Sequence, residues 1–330
     1  MLSIEITREC PLHCPGCYAY GASHLGGEVT LRELNDKRGD ELVEGVLGLV
    51  DRHKPLQVTL VGGEPMVRHR ELSRILPELA KRDIFAMVVT SGIIPIPLEW
   101  MSLPRLTVAI SIDGLPEHHD VRRAPATYER ILGNFAGRRV NVHWTITAQM
   151  LARAGYLEEY VRFWDARDEV RQIWVSLYSP QRGEESVERL SPAQRAEVAQ
   201  ELTRLRGEYR KLLTPRGYAQ ALLHPPKSPS ECTFSRLSKN YSADLRTRVE
   251  PCVFGGDPDC SQCGCSASAA AHWIAGTRLA GPLKAKHLLH GSMRIGSAMA
   301  RLQQVALPAW REREEHGGKA DGELVQISMD

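Results

Sequence analysis

The chain has 330 residues, 42% of them hydrophobic, with a formal net charge of +2 at pH 7. That length and apolar share suffice for a full core in one large domain plus an appendage, and the near-balanced charge gives no electrostatic case for a nucleic-acid partner. No apolar run reaches the length of a transmembrane helix, and the first strand starts almost at Met1 with no room for a signal peptide, so a cytoplasmic protein is expected.

Leu2 to Thr7 reads as a buried strand, and it leads into Cys10-Pro11-Leu12-His13-Cys14-Pro15-Gly16-Cys17. Three thiolates in one short loop can face one inorganic centre. A structural zinc or a self-contained iron-sulfur cluster takes four protein ligands, whereas three leave a metal position for something that reacts. A zinc knuckle or chance clustering is the bland alternative.

Thr30-Leu31-Arg32-Glu33 has the capping-box pattern and opens an amphipathic helix predicted to run to about His53. Leu56 to Val61 is a continuous apolar run, suited to a strand covered on both faces. Glu71 to Arg82 reads as a helix that Pro77 bends or divides. Ile84 to Thr90 and Leu106 to Ile112 are further strands. Then come a helix over Thr127 to Gly137, a strand over Val140 to Thr147, a helix over Tyr156 to Asp168 and a sixth strand over Val170 to Leu177. Strands alternating with helices imply right-handed crossovers and a parallel sheet.

Polar residues collect where these strands end. Gly62 and Gly63 either make a tight turn or let backbone approach a ligand, with Glu64 and Pro65 beside them. Ser111 and Asp113 stand two residues apart on one strand face, although Asp113-Gly114 is also a turn signal. Thr145, Thr147 and the run Ser176 to Gly183 are further candidates, with Arg182 read as a surface charge.

Ser191-Pro192 caps a charged helix to about Leu213, whose alternating Arg and Glu read as a solvated face. The Pro- and Ser-rich stretch that follows is the candidate boundary. Beyond it lie Cys232, Cys252, Cys260, Cys263 and Cys265, with Tyr241 to Val249 suited to a hairpin strand. Cysteines in two tight groups of a large chain without a signal point to metal ligation rather than disulfides. Leu283 to Leu302 pairs basic and apolar residues. A helix packed on the domain with a basic outer face is preferred there to one lying on a membrane or over the site. The charged tail from Glu312 to Asp330 is expected to be mobile.

The C-x3-C-x2-C loop after the first strand, with Gly62-Gly63-Glu64-Pro65 after the second, resembles the radical S-adenosylmethionine (radical SAM) enzymes. The resemblance implies an α/β fold, a partial (β/α)6 TIM-like barrel with its chemistry at the strand C-terminal ends, and a small C-terminal iron-sulfur extension. It implies a [4Fe-4S] cluster on Cys10, Cys14 and Cys17, which cleaves SAM to a 5'-deoxyadenosyl radical that takes hydrogen from the substrate. It further implies SAM contacts from Gly62, Gly63, Glu64, Pro65, Ser91, Ser111, Asp113, Thr145 and Thr147. Family members carry an aromatic residue just before the third cysteine, where this chain has Gly16; Tyr18 or Tyr20 is the candidate replacement. The segment from Ser111 to Arg122 resembles group members with additional clusters, and within it a capping Asp120 and a solvated His119 are preferred to substrate-acting ones.

The later cysteines resemble the Twitch or SPASM extension. They are too few for a full SPASM pattern, so one auxiliary [4Fe-4S] cluster is expected, on Cys232, Cys252, Cys260 and Cys263 with Cys265 spare, or with Cys265 in place of Cys232. The expected organisation is barrel 1–215, linker 216–231, auxiliary-cluster region 232–275 and helical segment with tail 276–330. The expected activity is oxidation or cross-linking of a peptide or small-molecule substrate, with an electron donor such as flavodoxin or ferredoxin. The alternatives are a non-redox adenosylation or rearrangement with a structural second cluster, and a metal-binding protein without SAM chemistry.

Overall fold

The computed structural model describes residues 1–21, 24, 35–280, 283–285, 287 and 291. Two compact units emerge, Met1–Trp273 and Ile274–Asp330. The first is built on a seven-stranded parallel sheet of β1 (Leu2–Glu5), β2 (Gln57–Val61), β3 (Phe85–Thr90), β4 (Leu106–Ser111), β5 (Val140–Ile146), β6 (Val170–Leu177) and β7 (Lys239–Tyr241). Their order is β6-β5-β4-β3-β2-β1-β7. Each of the first six strands lies beside the next in sequence, so the sheet winds in one direction as a partial TIM-like barrel does. The seventh strand is parallel to β1 with Leu2 opposite Lys239, where the sequence reading placed a hairpin strand over Tyr241 to Val249; the strand ends at Tyr241, and a single bridge from Tyr241 to Arg248 marks the return.

Register sorts the sheet residues into two faces. Ile4, Leu60 and Val88 stand in one row, and Ile110, Val142 and Ile173 continue that side. This face is apolar and closed. The intervening residues are of another kind: Ser3 beside Thr59, Asn141 beside Gln172, Ser111 beside His143, Thr145 beside Ser176. Since a strand alternates faces with period two, the polar set lines the opposite side. An apolar face under helices and a polar face around an interior is what a barrel with a binding site requires.

Helix α1 (Gly39–His53) buries Leu42, Val43, Val46, Leu49 and Val50 at helical spacing and carries Asp40 and Glu41 in its first turn, where acidic groups suit the positive helix end. The predicted capping box at residues 30–33 lies outside the described residues. In α2 (His69–Lys81), Pro77 does not end the helix. The interior proline costs about 3 kcal/mol, while burying Leu72, Ile75, Leu76 and Leu79 contributes about 1.5–3 kcal/mol each.

Between β4 and β5 lie α3 (Pro116–Arg122) and α4 (Tyr128–Phe135); α5 (Tyr156–Asp165) precedes β6. Thr127 caps α4, accepting from the Arg130 amide. Helix α6 (Pro192–Leu205) begins with the Ser191–Gln194 capping box but stops before Leu213. The chain instead returns beside β6: Ile173 N donates to Lys211 O at 2.7 Å and Leu213 N to Ile173 O at 2.9 Å, covering that strand's outer edge.

The predicted linker 216–231 is not where the compact units part. It contains α7 (Tyr218–Leu223), whose Tyr218, Ala219, Ala221 and Leu222 are buried, and the Tyr218 hydroxyl donates to Val175 O at 2.7 Å. Apolar residues within a turn-rich composition decided the packing. Helix α8 (Thr233–Leu237) follows, then β7 and its tight return, in which Tyr241 bridges Arg248 and Asp244 accepts from the Arg246 and Thr247 amides. Helix α9 spans Ser266–Gly276.

In the second unit, Arg278–Ala280 pairs antiparallel with Leu283–Lys284, where the sequence reading began an amphipathic helix. Most of residues 283–302 and all of 312–330 lie outside the described residues. Among the described residues no helix is long and apolar enough to cross a membrane.

Candidate functional site

The loop carrying Cys10, Cys14 and Cys17 leaves the C-terminal end of β1 and runs against the turn that follows β2. Gly63 N donates to Thr7 O and Glu64 N to Glu9 O, both at 2.7 Å. A Cβ on Gly62 would fall 2.5 Å from Thr7 O, and one on Gly63 would meet the carbonyls of Glu9 and Arg8, the latter at 2.6 Å. The glycine pair therefore seats the cysteine loop on the sheet. The residues alone left a tight turn or a ligand approach open, and the resemblance implied SAM contacts; the chain's own backbone at Thr7, Arg8 and Glu9 stands close to both glycines.

Glu64 is 1% exposed. One carboxylate oxygen accepts from the Met66 amide at 2.9 Å and the Thr90 hydroxyl at 2.6 Å; the other accepts from the Ser91 amide at 2.8 Å and the Ser91 hydroxyl at 2.5 Å. Four donors fill it, so Glu64 ties the end of β2 to the end of β3. Pro65 opens the short buried turn Pro65–Arg68 that Glu64 caps.

The three thiols are electrostatic neighbours. Burial first, then Glu64, Cys14 and Cys17, push the Cys10 thiol up to about 11, and burial, then Cys17 and Asp113, raise Cys14 against the pull of Arg123 and Arg122. A cation placed among such thiols favours their thiolate forms, which is what a metal centre supplies. All three are half-buried, while Pro11, His13, Pro15 and Gly16 are exposed. The donor set suits a centre bound from one side and open on the other.

Across from this loop, four charged residues interlock. Arg123 holds Asp113 at 2.7 Å, and Arg122 pairs with Glu188 at 2.9 Å while donating to Pro15 O at 3.0 Å. Burial alone would raise Asp113; Arg123 and Arg122 outweigh it and hold the carboxyl at about 2. Its second oxygen faces the Thr145 amide at 3.4 Å. Asp113 is therefore committed within the protein, and Ser111 and Thr147 stand buried at the neighbouring strand ends. Glu188, raised by burial, was missed from sequence; its place in the loop after β6 was the signal that marked it.

His119 is wholly buried, not solvated. Its Nδ1 accepts from the Asp113 amide at 3.0 Å and its Nε2 faces Ala126 O at 2.9 Å, so the ring is neutral; burial, then Arg123, depresses it to about 4. Asp120 does cap, accepting from the Tyr128 amide at 2.9 Å. Arg182 is a surface residue, paired with exposed Asp257 at 3.2 Å.

Gly16 adopts φ +63°, and a Cβ there would lie 2.9 Å from the Tyr178 hydroxyl. The aromatic residue facing this position thus comes from the end of β6. Tyr18 turns the other way, its ring 5.0 Å from Phe254, and Tyr20 donates to Arg8 O. Burial, then Cys17, Glu5, Cys265 and Cys252, raise the Tyr18 phenol, which places it between the two cysteine groups.

The second group is assembled by tertiary structure. Cys232, Cys252, Cys260, Cys263 and Cys265 all line one partly open cavity, with Phe254, Pro251, Pro226 and Ser268 among its walls. Burial, then Cys263, Cys232 and Cys260, push Cys252 up to about 12. Cys260 is raised to about 11 by burial, then Cys263 and Cys232, and Cys263 feels Cys232 in turn. Cys265, raised chiefly by burial, is coupled to Cys263 and Cys252. The cavity is docked on β6: Leu177 N donates to Gly264 O at 2.9 Å, Gly264 N to the Ser179 hydroxyl at 2.8 Å, and Ser266 N to the Ser176 hydroxyl at 3.0 Å.

Residues 4–145 match the family model described as the Radical SAM superfamily. No protein of curated function matches the sequence. Among solved structures, the chain resembles Streptococcus suis SuiB bound to S-adenosylmethionine, at 16% identity and a TM-score of 0.51, covering 73% of this chain and 56% of SuiB. It also resembles anSMEcpe with bound AdoMet, at 18% identity and a TM-score of 0.51, covering 67% of this chain and 63% of that one. SuiB bound to its precursor peptide SuiA aligns at 15% identity, with a TM-score of 0.51 over 73% of this chain and 57% of SuiB. The chain thus spans less than two thirds of each of these proteins, and at such identities the likeness is one of fold.

Proposed function

We propose that this chain, whose residues 4–145 match the Radical SAM superfamily model, acts as a radical SAM enzyme and abstracts hydrogen from a peptide or small-molecule substrate for oxidation or cross-linking, using one cluster on Cys10, Cys14 and Cys17 and an auxiliary cluster among the later cysteines. When bound, a [4Fe-4S] cluster with SAM supplies the electron and the 5'-deoxyadenosyl radical for that step. The protein's own contribution is positioning. Gly62 and Gly63 fix where the three thiolates present themselves, and Glu64 locks the ends of β2 and β3 so that the exposed backbone of this turn is pre-set for the SAM amino group. Arg122, by holding Pro15 O and Glu188 together, keeps the loop closed toward β6. Ser111, Ser91, Thr145 and Thr147 offer polar groups at the same end of the sheet for the SAM carboxylate and ribose, and Tyr178 takes the adenine side for which Tyr18 or Tyr20 was the candidate.

One observation carries the two-cluster reading: five cysteines distant in sequence converge on one cavity. Cys232, Cys252, Cys260 and Cys263 are the proposed ligands, with Cys265 spare or in place of Cys232. Five thiols exceed what one tetrahedral zinc uses. A peptide substrate is favoured because the fold neighbours include SuiB bound to precursor peptide SuiA and anSMEcpe with bound AdoMet and Cp18Cys peptide. Flavodoxin or ferredoxin is the proposed donor.

The test is anaerobic reconstitution followed by metal analysis and a SAM-cleavage assay with dithionite. The parent should carry about eight irons and form 5'-deoxyadenosine, whereas Cys260→Ala with Cys263→Ala should carry about four and still cleave SAM. A parent holding about four irons and one zinc overturns the auxiliary-cluster reading. A parent that forms no 5'-deoxyadenosine overturns the radical one.

A further inference from the structure

Helix α6 carries one cation on the wrong face. Arg195 is 6% exposed, and it sits on the stripe formed with Val198, Ala199, Leu202 and Leu205, all buried. Its guanidinium makes three hydrogen bonds, each to a main-chain carbonyl: Gln262 O at 3.0 Å, Cys263 O at 2.9 Å and Leu222 O at 2.5 Å. Among the described residues no carboxylate stands within ion-pair distance of it. An arginine stays charged in any protein interior, and a buried charge calls for a counter-charge.

The missing negative charge has an evident source. Two of the three carbonyls belong to the Cys260–Cys263 turn, and after burial itself the groups coupled to Arg195 are the Cys263 thiol first and then the Asp259 carboxylate, which lies beyond ion-pair distance. Four thiolates around a [4Fe-4S] core carry net negative charge, which a fixed cation stabilises and whose further reduction it favours.

We propose that Arg195 is the built-in counter-charge and clamp of the auxiliary cluster, holding the Cys260–Cys263 turn by its carbonyls and setting the cluster's reduction potential. The proposal rests on the auxiliary-cluster reading above. Arg195 is a positioning residue here: it touches the ligand turn, not substrate. It also explains why α7 packs where it does, since Leu222 O shares the same guanidinium and ties the segment before Cys232 to the turn after Cys252.

The experiment compares parent, Arg195→Met and Arg195→Lys proteins, each reconstituted anaerobically, by iron content, circular dichroism and redox titration followed by electron paramagnetic resonance. The cluster on Cys10, Cys14 and Cys17 serves as internal reference. Arg195→Met, which keeps length and apolar stem but not charge, should move the auxiliary potential to a more negative value and leave the reference unmoved. Arg195→Lys, which keeps charge but not the fork, should stay close to the parent potential while losing iron faster to a chelator. Loss of the cluster from the Met variant alone also supports the assignment. With about eight irons bound, an unchanged auxiliary potential in Arg195→Met overturns it, as does loss of the cluster from both variants with native secondary structure. A parent with about four irons overturns the cluster reading itself, and this proposal with it.

Discussion

The two cysteine groups of this molecule are held in opposite ways. Cys10, Cys14 and Cys17 lie in a loop of adjacent residues, half-buried, with exposed neighbours on one side, and hydrogen bonds from Gly63 and Glu64 seat it on the sheet. The later five come from three separate stretches, line a common cavity and have a buried arginine behind them. A short loop with three donors leaves one metal face open to a reacting partner. Five donors around one pocket meet the four that a self-contained cluster or a structural metal takes, which suits the electron-storage or structural role proposed for it.

The sharpest way to break this comparison is Cys14→Ala. It should abolish 5'-deoxyadenosine formation while leaving the later site's iron in place, because two thiolates cannot hold the open cluster. Turnover at the parent rate, measured anaerobically with dithionite, would transfer the chemistry elsewhere. Next is Gly63→Val, whose side chain must displace the backbone at Arg8 and Glu9. We expect it to lower iron at the first site to about half loading or less and to cost about 1–3 kcal/mol by overpacking. A variant with full iron and weakened SAM binding alone would instead return the glycines to a ligand-approach role.

Glu64→Ala should destabilise by about 3 kcal/mol, since it strands the buried donors of Thr90 and Ser91 that now share one carboxylate. Thermal or urea unfolding of the apoprotein measures this, and a loss under 1 kcal/mol would mean that those donors find other partners.

Acid titration separates the charged wall of the first site from the second. His119 titrates at about 4 in the fold against about 6.5 unfolded, so the neutral ring is no burden above the unfolded value. As pH falls from about 6.5 to 4 the unfolded chain takes up a proton that the native one refuses, and stability drops by about 2–3 kcal/mol from this group. Asp113, held at about 2, adds a second loss only below its unfolded value near 3.8, as pH falls toward 2. Denaturation at pH 7 and 4.5 should show the first loss in the parent and not in His119→Asn. An equal loss in both proteins would put the acid sensitivity in another group. The smallest effect belongs to Cys265→Ala. It should keep about eight irons and cost about 1 kcal/mol; a fall to about four would make Cys265 a ligand.

Much of this was legible in the sequence because it is local. Apolar runs set six strands to within a residue or two, since side-chain burial on a parallel sheet reads directly as Val, Ile and Leu. The three-cysteine loop needed only spacing, its ligands being neighbours along the chain. The charges of α6 read as a solvated face, yet Arg195 falls on the apolar stripe at positions 195, 198, 199, 202 and 205, a signal available in the periodicity.

What the tertiary structure alone decided are contacts between residues far apart. Lys239–Tyr241 is too short to announce a strand and exists because β1 offers a free edge. Glu64 looks like a ligand-facing carboxylate until Thr90 and Ser91, one strand away, fill its lone pairs. Tyr178 lies 162 residues from Gly16, yet packs against it. Spacing along a chain encodes what one loop can chelate; which distant thiols share a cavity, and which cation lies behind them, depends on how the helices bury their faces.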